Sequence, residues 1–269
     1  MRVIITGFLT EIEKGMVIKM EKKVPQIWAH RGASGYVPEN TIEAFDKAVE
    51  MKADGVELDV QLTKDGQMVV IHDETVDRVS DKTGFVRDYT LSQIKQLDVS
   101  LPIEGYRTVR IPTLAEVLEL LKPSNLEINI ELKTGIYFYQ DLEEKVIRLV
   151  EDMKMTDRIW CSSFNHESVC RLKKLCKGMR CGLLLSDVIM DVAAYAKHYD
   201  MQALHPALYH MQDENFITNA KKQGLSVHVW TVNKEEEMCA LAEAGADALI
   251  TNYPDLAVKT LLYHEKDTV

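Results

Sequence analysis

Strand-like and helix-like segments alternate along this chain, with one pair for roughly every 25 to 35 residues. Short runs rich in Val, Ile and Leu indicate buried strands, and apolar residues spaced three and four apart predict helices between them. This alternation is typical of a parallel α/β sheet, in which a helix connects each strand to the next. The pattern therefore limits the chain to a closed barrel or an open doubly wound sheet.

Eight segments are predicted as parallel strands: residues 27–30, 55–62, 127–132, 159–163, 181–185, 203–205, 226–232 and 248–251. A ninth, 68–71, follows the turn sequence Lys64-Asp65-Gly66 and should return antiparallel to the second strand. The predicted helices are 41–51, 113–121, 141–153, 166–176, 189–198, 213–222, 234–243 and 255–263. Eight strands, each followed by a helix, predict an α/β fold of the (β/α)8 TIM-barrel type, although an open sheet would show a similar local pattern.

The domain organisation follows from the same pattern. Residues 25–269 are predicted to form one barrel domain, somewhat distorted, with an insertion at about 73–112 after the hairpin of the second strand. Residues 1–24 form an extension that either closes the bottom of the barrel or is loosely ordered. Its first ten residues loosely resemble a signal peptide, but Glu11, Glu13 and Lys14 interrupt the apolar run, so we expect no secretion.

Charge and cysteine content exclude several classes of function. The formal net charge of −10 argues against nucleic-acid binding, which calls for a basic stripe. The five cysteines form no C-x-x-C pair, so neither a zinc site nor a disulfide framework is indicated, and we expect a cytoplasmic protein. No apolar run approaches the roughly 20 residues that span a bilayer. An anionic substrate would meet a repulsive field, so its site would need concentrated positive charge.

Titratable side chains fall at the ends of neighbouring predicted strands. His30 and Arg31 follow the first strand. Glu57 and Asp59 are two residues apart on the second strand, so both side chains leave the same face. The antiparallel return brings His72 beside this pair. Buried acids must be paired or bound to a cation, so this arrangement indicates a site.

The next parallel strand extends the group. Asn129, Glu131 and Lys133 share one face of it, which makes Glu131 a third carboxylate beside the first two. Three carboxylates without cysteine suit magnesium, calcium or manganese rather than zinc. Two histidines can act as general acid and base, and Arg31 with Lys133 can hold a phosphate. The set indicates metal-assisted displacement at phosphorus.

Each of these residues also has a structural alternative. A single histidine is more often a hydrogen-bonded core residue, and the two acids of the second strand could form a solvated face. Arg31 could merely pair with an acid, the residues of the third strand could form a salt-bridge ladder, and Trp230 could belong to the core. The functional interpretation is favoured because every group falls at the strand end where barrel enzymes keep their sites.

Several motifs of the chain resemble those of a known family. The run WAHRGASGYVPENTIEAF at 28–45 and the run GVELDVQLTKDGQMVVIHD at 55–73 resemble the glycerophosphodiester phosphodiesterases, within the superfamily of phosphatidylinositol phospholipase C-like phosphodiesterases. Five further segments agree, namely IPTLAEVL, INIELK, SSFNHES, HVWTVN and ADALITNYP. The resemblance covers about residues 25–261. It implies metal-dependent hydrolysis of diesters such as glycerophosphocholine or glycerophosphoethanolamine to glycerol 3-phosphate and an alcohol.

The resemblance also implies a role for individual residues. The divalent cation, magnesium, calcium or manganese, would be held by Glu57, Asp59 and Glu131. His30 and His72 would be the catalytic acid–base pair. Arg31 and Lys133 would contact the phosphate, Trp230 would pack against the glycerol or alcohol, and Glu39 and Asn40 would buttress the site. Asn252 stands where the family usually has Asp. This change removes a charge and could alter a supporting hydrogen bond, but it is expected to touch none of the catalytic or metal residues.

Three other functions are considered. A phosphodiesterase or lyase acting on lysophospholipid or phosphoinositide would need an exposed apolar rim, and the insertion offers only Tyr89, Leu101 and Tyr106. A non-catalytic phosphodiester-binding protein would need a broken catalytic set. An aldolase-like barrel could use Lys133, but would leave the histidines and acids unexplained. We therefore expect a small soluble diester as the partner, with no nucleic acid, no stable membrane anchoring and a homodimer as the candidate assembly.

Overall fold

The structure, a computed structural model, describes residues 24–100, 103, 105–106 and 108–267, with the side chains of 263–267 excepted. The predictions for residues 1–23 and for Leu101 lie outside the described residues.

The described residues form nine strands: β1 (Gln26–His30), β2 (Gly55–Leu62), β3 (Met68–Val70), β4 (Glu127–Leu132), β5 (Ile159–Ser163), β6 (Arg180–Leu185), β7 (Ala203–Pro206), β8 (Ser226–Trp230) and β9 (Ala248–Thr251). The α-helices are α1 (Ile42–Glu50), α2 (Leu91–Ile94), α3 (Leu114–Leu121), α4 (Leu142–Asp152), α5 (His166–Leu175), α6 (Val192–His198), α7 (Phe216–Lys222), α8 (Glu235–Ala244) and α9 (Pro254–Asp267). Short 3-10 helices cover Val86–Asp88, Thr156–Arg158 and Leu208–Gln212.

The sheet closes on itself. Its order is β1-β9-β8-β7-β6-β5-β4-β2-β3, and β1 also pairs with β2. Trp28 is in register with Ile250 of β9 on one side and with Gly55 of β2 on the other. All pairings are parallel except that of β2 with β3. The predicted (β/α)8 barrel is confirmed, and the open-sheet alternative was wrong.

The β2–β3 hairpin folds as predicted. Val60 pairs with Val70, and the amide of Ile71 donates to the carbonyl of Asp59 at 3.0 Å. The chain therefore carries His72 back beside the acids of β2. By contrast, β8 ends at Trp230 rather than at residue 232. The amide of Val232 still donates to Ile250 at 2.9 Å, so this segment stays against β9.

The described residues of the insertion pack, together with Val69 and Ile71, around a small second apolar core. Val76, Val86, Ile94 and Val109 are buried there. The sequence predicted no helix in this region, yet α2 forms one turn, closed by a capping box between Thr90 and Gln93. A single turn is too short to show helical periodicity. The longer α3 has the same device at Thr113 and Glu116, as its sequence predicted.

The inside of the barrel differs from its outside. Outward side chains of the strands are mostly apolar and pack under the helices, whereas the inward side chains include most of the polar and aromatic ones, with a few aliphatic residues such as Ile250. His205 and His228 are buried inside, with Nδ1 of His228 3.0 Å from Nε2 of His205. The ring of Trp28 lies 4.5 Å from that of His228. This layer fills the barrel below its carboxyl end and leaves that end for a site. No described helix is long and apolar enough to cross a membrane.

Candidate active site

Three buried carboxylates from two adjacent strands lie at the carboxyl end of the barrel. Glu57 and Asp59 project inward from β2, and Glu131 projects from β4, where it is in register with Asp59. One oxygen of each lies within 4.8 Å of the others. The structure thus brings together the three residues that the sequence predicted as metal ligands.

The three carboxylates influence one another's ionisation. Burial, with the negative charges of Asp59 and Glu131 nearby, raises the pKa of Glu57 well above its ordinary value. Burial and Asp59 raise the pKa of Glu131 to about 7, against the opposing effect of Lys133. Burial would also raise the pKa of Asp59, but Arg31 and Lys133 outweigh it and lower that pKa to about 2. Such crowding of acids is costly unless a positive charge joins them.

The donor atoms fit a divalent cation with oxygen ligands. Oδ1 of Asp59 is buried and accepts no hydrogen bond from any described residue. The side-chain oxygen Oδ1 of Asn129, which points inward from β4, is also buried and accepts no hydrogen bond from a described residue. Its amide nitrogen donates to Ser162 Oγ at 3.0 Å, which holds that oxygen in place. Buried oxygens without a donor suit magnesium, calcium or manganese.

His30 ends β1 beside these acids. Its Nδ1 lies 2.7 Å from Oδ1 of Asn252, which also accepts from the hydroxyl of Ser34 at 3.1 Å. Its Nε2 lies 3.9 Å from Glu57 Oε2. Burial and the neighbouring Arg31 lower the pKa of His30 to about 4. The expectation that the change at Asn252 touches none of the predicted catalytic residues was wrong, because Asn252 directly follows β9, which pairs with β1.

His72 has a different partner. Its Nδ1 lies 2.6 Å from Oδ1 of Asp73, and its Nε2 makes no hydrogen bond to a described residue. The hydrogen bond to His72 and the guanidinium of Arg78 keep the pKa of Asp73 below its ordinary value. His72 is therefore oriented by a carboxylate, whereas His30 is oriented by an amide.

Arg31 is held tightly by acids. Its backbone, at φ +54°, directs the amide toward Glu57 Oε2 at 3.1 Å. Its Nη1 donates to Glu39 at 2.9 Å, and its Nε lies 3.4 Å from Asp59 Oδ2. Lys133 likewise lies 3.0 Å from Glu131 Oε1. Arg31 and Lys133, the two residues predicted to contact the phosphate, both lie in the site. Each is already paired with a carboxylate, which for Arg31 was the alternative interpretation of the sequence.

An ion-pair chain links the two sides of the mouth. Glu39 accepts hydrogen bonds from Arg31 and from Arg78, and Nη2 of Arg78 lies 2.7 Å from Glu39 Oε1. Arg78 donates in turn to Asp73 at 2.7 Å. Asn40, the other predicted buttress, donates to Asp59 at 2.8 Å. Neither Asp73 nor Arg78 was predicted from the sequence as a site residue. Asp73 follows His72 directly and could have been suspected, but no local pattern marked Arg78.

The cavity above the carboxylates has two unlike walls. It measures about 110 Å³, and its charged wall includes both histidines, Arg31, Glu57 and Glu131. The facing wall is apolar: Phe164, Leu184, Trp230 and Ile250. Nε1 of Trp230 donates to the carbonyl of His205 at 2.7 Å, and its ring lies edge-on to Phe164 at 5.7 Å. Trp230 is thus at the cavity as predicted. Phe164 was missed because a lone aromatic after a strand carries no signal.

The model of the glycerophosphoryl diester phosphodiesterase family matches residues 30–256. The chain belongs to this family. A glycerophosphodiester phosphodiesterase of Caldanaerobacter subterraneus subsp. tengcongensis is 43% identical over 231 residues, which is 86% of this chain and 95% of that protein. One from Bacillus altitudinis is 40% identical over 237 residues, 87% of this chain and 97% of that protein.

A solved structure has the same fold. The phosphodiesterase of Oleispira antarctica, in complex with the product sn-glycerol-3-phosphate, is 29% identical with a TM-score of 0.84, covering 88% of this chain and 97% of that one. The chain is therefore an enzyme, a glycerophosphodiester phosphodiesterase. The predicted family and reaction class are confirmed, and the non-catalytic and aldolase-like alternatives were wrong.

Replacing Asp73 with asparagine is expected to lower kcat roughly tenfold, a part of the 10²–10⁴-fold that a positioned acid or base contributes. The amide can still contact His72, but it no longer stabilises a charged imidazole. KM should stay near the wild-type value, and Asp73→Glu should restore part of kcat. Steady-state kinetics on glycerophosphocholine measures both. Asp81→Asn, in the same insertion and paired with Lys82, is the control. A rise in KM alone would contradict a role through His72.

Proposed function

We propose that this enzyme hydrolyses small soluble glycerophosphodiesters, such as glycerophosphocholine and glycerophosphoethanolamine, with a divalent cation and two histidines. The observation that carries the proposal is the convergence of His30 and His72 on one cavity with three buried carboxylates. The product bound to the Oleispira antarctica phosphodiesterase, sn-glycerol-3-phosphate, supports glycerol 3-phosphate as the product here.

Glu57, Asp59 and Glu131 would hold the cation, with magnesium, calcium and manganese as candidates. When bound, it supplies Lewis acidity toward a phosphate oxygen and neutralises the charge that develops there. Glu57, Asp59 and Glu131 lie beside the cationic side chains of Arg31 and Lys133, yet burial raises the pKa of Glu57 and of Glu131. A divalent cation would stabilise the charged forms of these acids.

The two histidines would divide the proton transfers between them. The amide oxygen of Asn252 accepts from Nδ1 of His30, so Nε2 of this ring presents a lone pair that can take a proton from the nucleophile. The nucleophile is water or, by a route through a cyclic phosphate, the glycerol 2-hydroxyl. The carboxylate of Asp73 stabilises a charged His72, whose Nε2 would give a proton to the leaving alkoxide.

The remaining predicted residues would bind the substrate. The Nη2 group of Arg31 makes no hydrogen bond to a described residue, so it remains available for a phosphate oxygen while Glu39 and Asp59 fix the rest of the guanidinium. Lys133 would add a point charge beside Glu131. Trp230, on the apolar wall, would cover the carbon skeleton of the glycerol or of the alcohol.

We further infer a cytoplasmic location. All five cysteines are free thiols, and Cys161 and Cys181 are buried in neighbouring strands without forming a disulfide. Free thiols in this number fit a reducing compartment.

The test is a product analysis. Incubation with glycerophosphocholine and magnesium is expected to release choline and glycerol 3-phosphate in equal amounts. A choline assay measures the first product and ³¹P NMR the second. Glycerol 3-phosphate itself should stay intact, since a monoester is not the substrate. Release of phosphocholine and glycerol would place the cut on the other ester bond, and no cleavage of any glycerophosphodiester would refute the proposal.

A further inference from the structure

The row of inward side chains on β2 continues past the two carboxylates. Glu57, Asp59 and Gln61 alternate along one face of the strand, and Gln61 is fully buried. Neither the proposed metal site nor the proposed proton transfers use Gln61. A buried amide needs partners for its two N–H groups and for its oxygen, and these partners show what Gln61 holds in place.

The amide group of Gln61 is shared among three consecutive backbone carbonyls. Its Nε2 lies 3.1 Å from the oxygen of Ile71, 3.1 Å from that of His72 and 2.6 Å from that of Asp73. The pairing of β3 with β2 ends at Val70, so these carbonyls have no strand to pair with. They accept no other hydrogen bond from a described residue. Gln61 therefore replaces the sheet as their donor.

This arrangement fixes the backbone of His72 and Asp73. The carbonyls of Ile71 and His72 belong to the two peptide planes that flank the Cα of His72, and those of His72 and Asp73 flank the Cα of Asp73. Peptide groups are planar, so holding two successive planes fixes φ and ψ of the residue between them. The direction in which each side chain leaves the backbone follows from those angles. One buried side chain thus directs the imidazole to the cavity and the carboxylate to Nδ1 of the imidazole.

Tyr139 determines which way the amide of Gln61 faces. The hydroxyl of Tyr139 lies 3.0 Å from Oε1 of Gln61. Carbonyl oxygens only accept hydrogen bonds, so Nε2 must face the three carbonyls and Oε1 must face the tyrosine, whose hydroxyl donates. Burial and the negative charge of Glu74 raise the pKa of Tyr139, which keeps this donor protonated. Tyr139 lies between β4 and α4, so the contact ties that loop to the segment that carries His72.

We propose that Gln61 is a positioning residue for the reaction, and that with Tyr139 it holds His72 and Asp73 in the orientation in which the imidazole can transfer a proton. The inference rests on the role proposed above for His72. Gln61 and Tyr139 lie outside the lining of the catalytic cavity, so both act through the backbone of the histidine and not on the substrate. A displacement of about 1 Å can cost about 10²-fold in rate, so the effect should be measurable.

Replacing Tyr139 with phenylalanine removes the donor to Gln61 and keeps the ring. We expect kcat for glycerophosphocholine to fall by about two- to tenfold, the range of one net hydrogen bond, with KM near the wild-type value. Tyr137→Phe is the matched control, because this hydroxyl lies in the same loop and makes no hydrogen bond to a described residue, while the ring stays packed against Arg87. It should leave kcat unchanged. An equal loss in both variants, or a rise in KM alone, would overturn the inference.

Gln61→Met, which has an unbranched side chain of similar length without a donor, is the stronger variant. It leaves three buried carbonyls unpaired, so Tm should fall, and kcat far below Tm should fall by about 10²-fold. A double-mutant cycle separates positioning from general destabilisation. In a His72→Ala background, Gln61→Met should lower the residual kcat by less than about twofold, because the group that it orients is gone. An undiminished loss in that background would overturn the inference. If Gln61→Met does not fold, the same cycle is measured with Tyr139→Phe.

The result for His72 alone distinguishes this inference from the proposed function. Near-wild-type turnover of His72→Ala would overturn the role proposed for that residue, and this inference with it. A large loss in His72→Ala, together with wild-type kcat in Tyr139→Phe and Gln61→Met, would overturn this inference alone and leave the proposed function standing.

Discussion

Alanine at His72 is expected to lower kcat for glycerophosphocholine by roughly 10²–10⁴-fold, the range that a positioned acid or base contributes. Among the described residues, the imidazole of His72 makes a hydrogen bond only to Asp73. Its removal should therefore abolish the proposed proton transfer and disturb few other contacts. Alanine at His30 should have a comparable effect, since its ring faces the same cavity. The two losses should not add, because the proposed acid and base would act on one proton-transfer sequence. Steady-state kinetics and thermal unfolding of the purified variants measure the effect.

The control for these variants is His198→Ala, a histidine at the exposed end of α6. It should keep wild-type kcat and Tm. Cation binding should persist in the His72 variant. It is measured as the rise in Tm that is expected when the metal binds. If both catalytic variants retained near-wild-type turnover, the acid–base assignment would be wrong, and a fall in Tm equal to the loss of activity would indicate a structural role instead.

Removing divalent cations with EDTA should lower activity at least about 10²-fold. A bound cation contributes several kcal/mol to a transition state at phosphorus, and each 1.4 kcal/mol is a factor of ten. Magnesium, calcium and manganese, added in turn after the chelator is removed, should restore activity to different extents. The cation should also raise Tm, because Glu57 and Glu131 repel one another and Asp59 without it.

Asp59→Asn is the matching variant. Its Oδ1 is the buried oxygen without a hydrogen-bond donor among the described residues, so the amide should raise the cation concentration needed for half-maximal activity and for half-maximal gain in Tm. Glu119→Gln removes one negative charge from the exposed face of α3 and should change neither. Full activity in EDTA together with an unchanged Tm would contradict the three-carboxylate site.

The sequence alone predicted the strands and helices of the barrel and most residues of the candidate site, but it left an open sheet as an alternative to the closed barrel. Alternating strands and helices repeat over the whole chain, and such periods depend only on neighbours along the chain. The same local rule placed Glu57 and Asp59 on one face of β2, and the turn at Asp65 placed His72 opposite them. Both outcomes follow from backbone geometry within a few residues.

Other features depended on which strands become neighbours. Closure of the barrel brings β9 beside β1, and this alone sets Asn252 against His30, two residues far apart in the chain. The pairing of Arg78 with Glu39 and Asp73 depends on how the insertion packs over the mouth. Neither the periodicity of apolar residues nor the spacing of motifs along the sequence predicts such contacts.

The exposed apolar side chains in the loops after β4 and β6 show the same division. Ile136, Phe138, Val188 and Met190 are unremarkable in the sequence, where apolar side chains near strand ends usually belong to the core. The sequence determined the strands, the helices and the carboxylates of the site, because these follow from local backbone geometry and spacing. Only the tertiary structure decided which loops surround the catalytic cavity and which apolar side chains remain in solvent, because exposure depends on packing between distant segments.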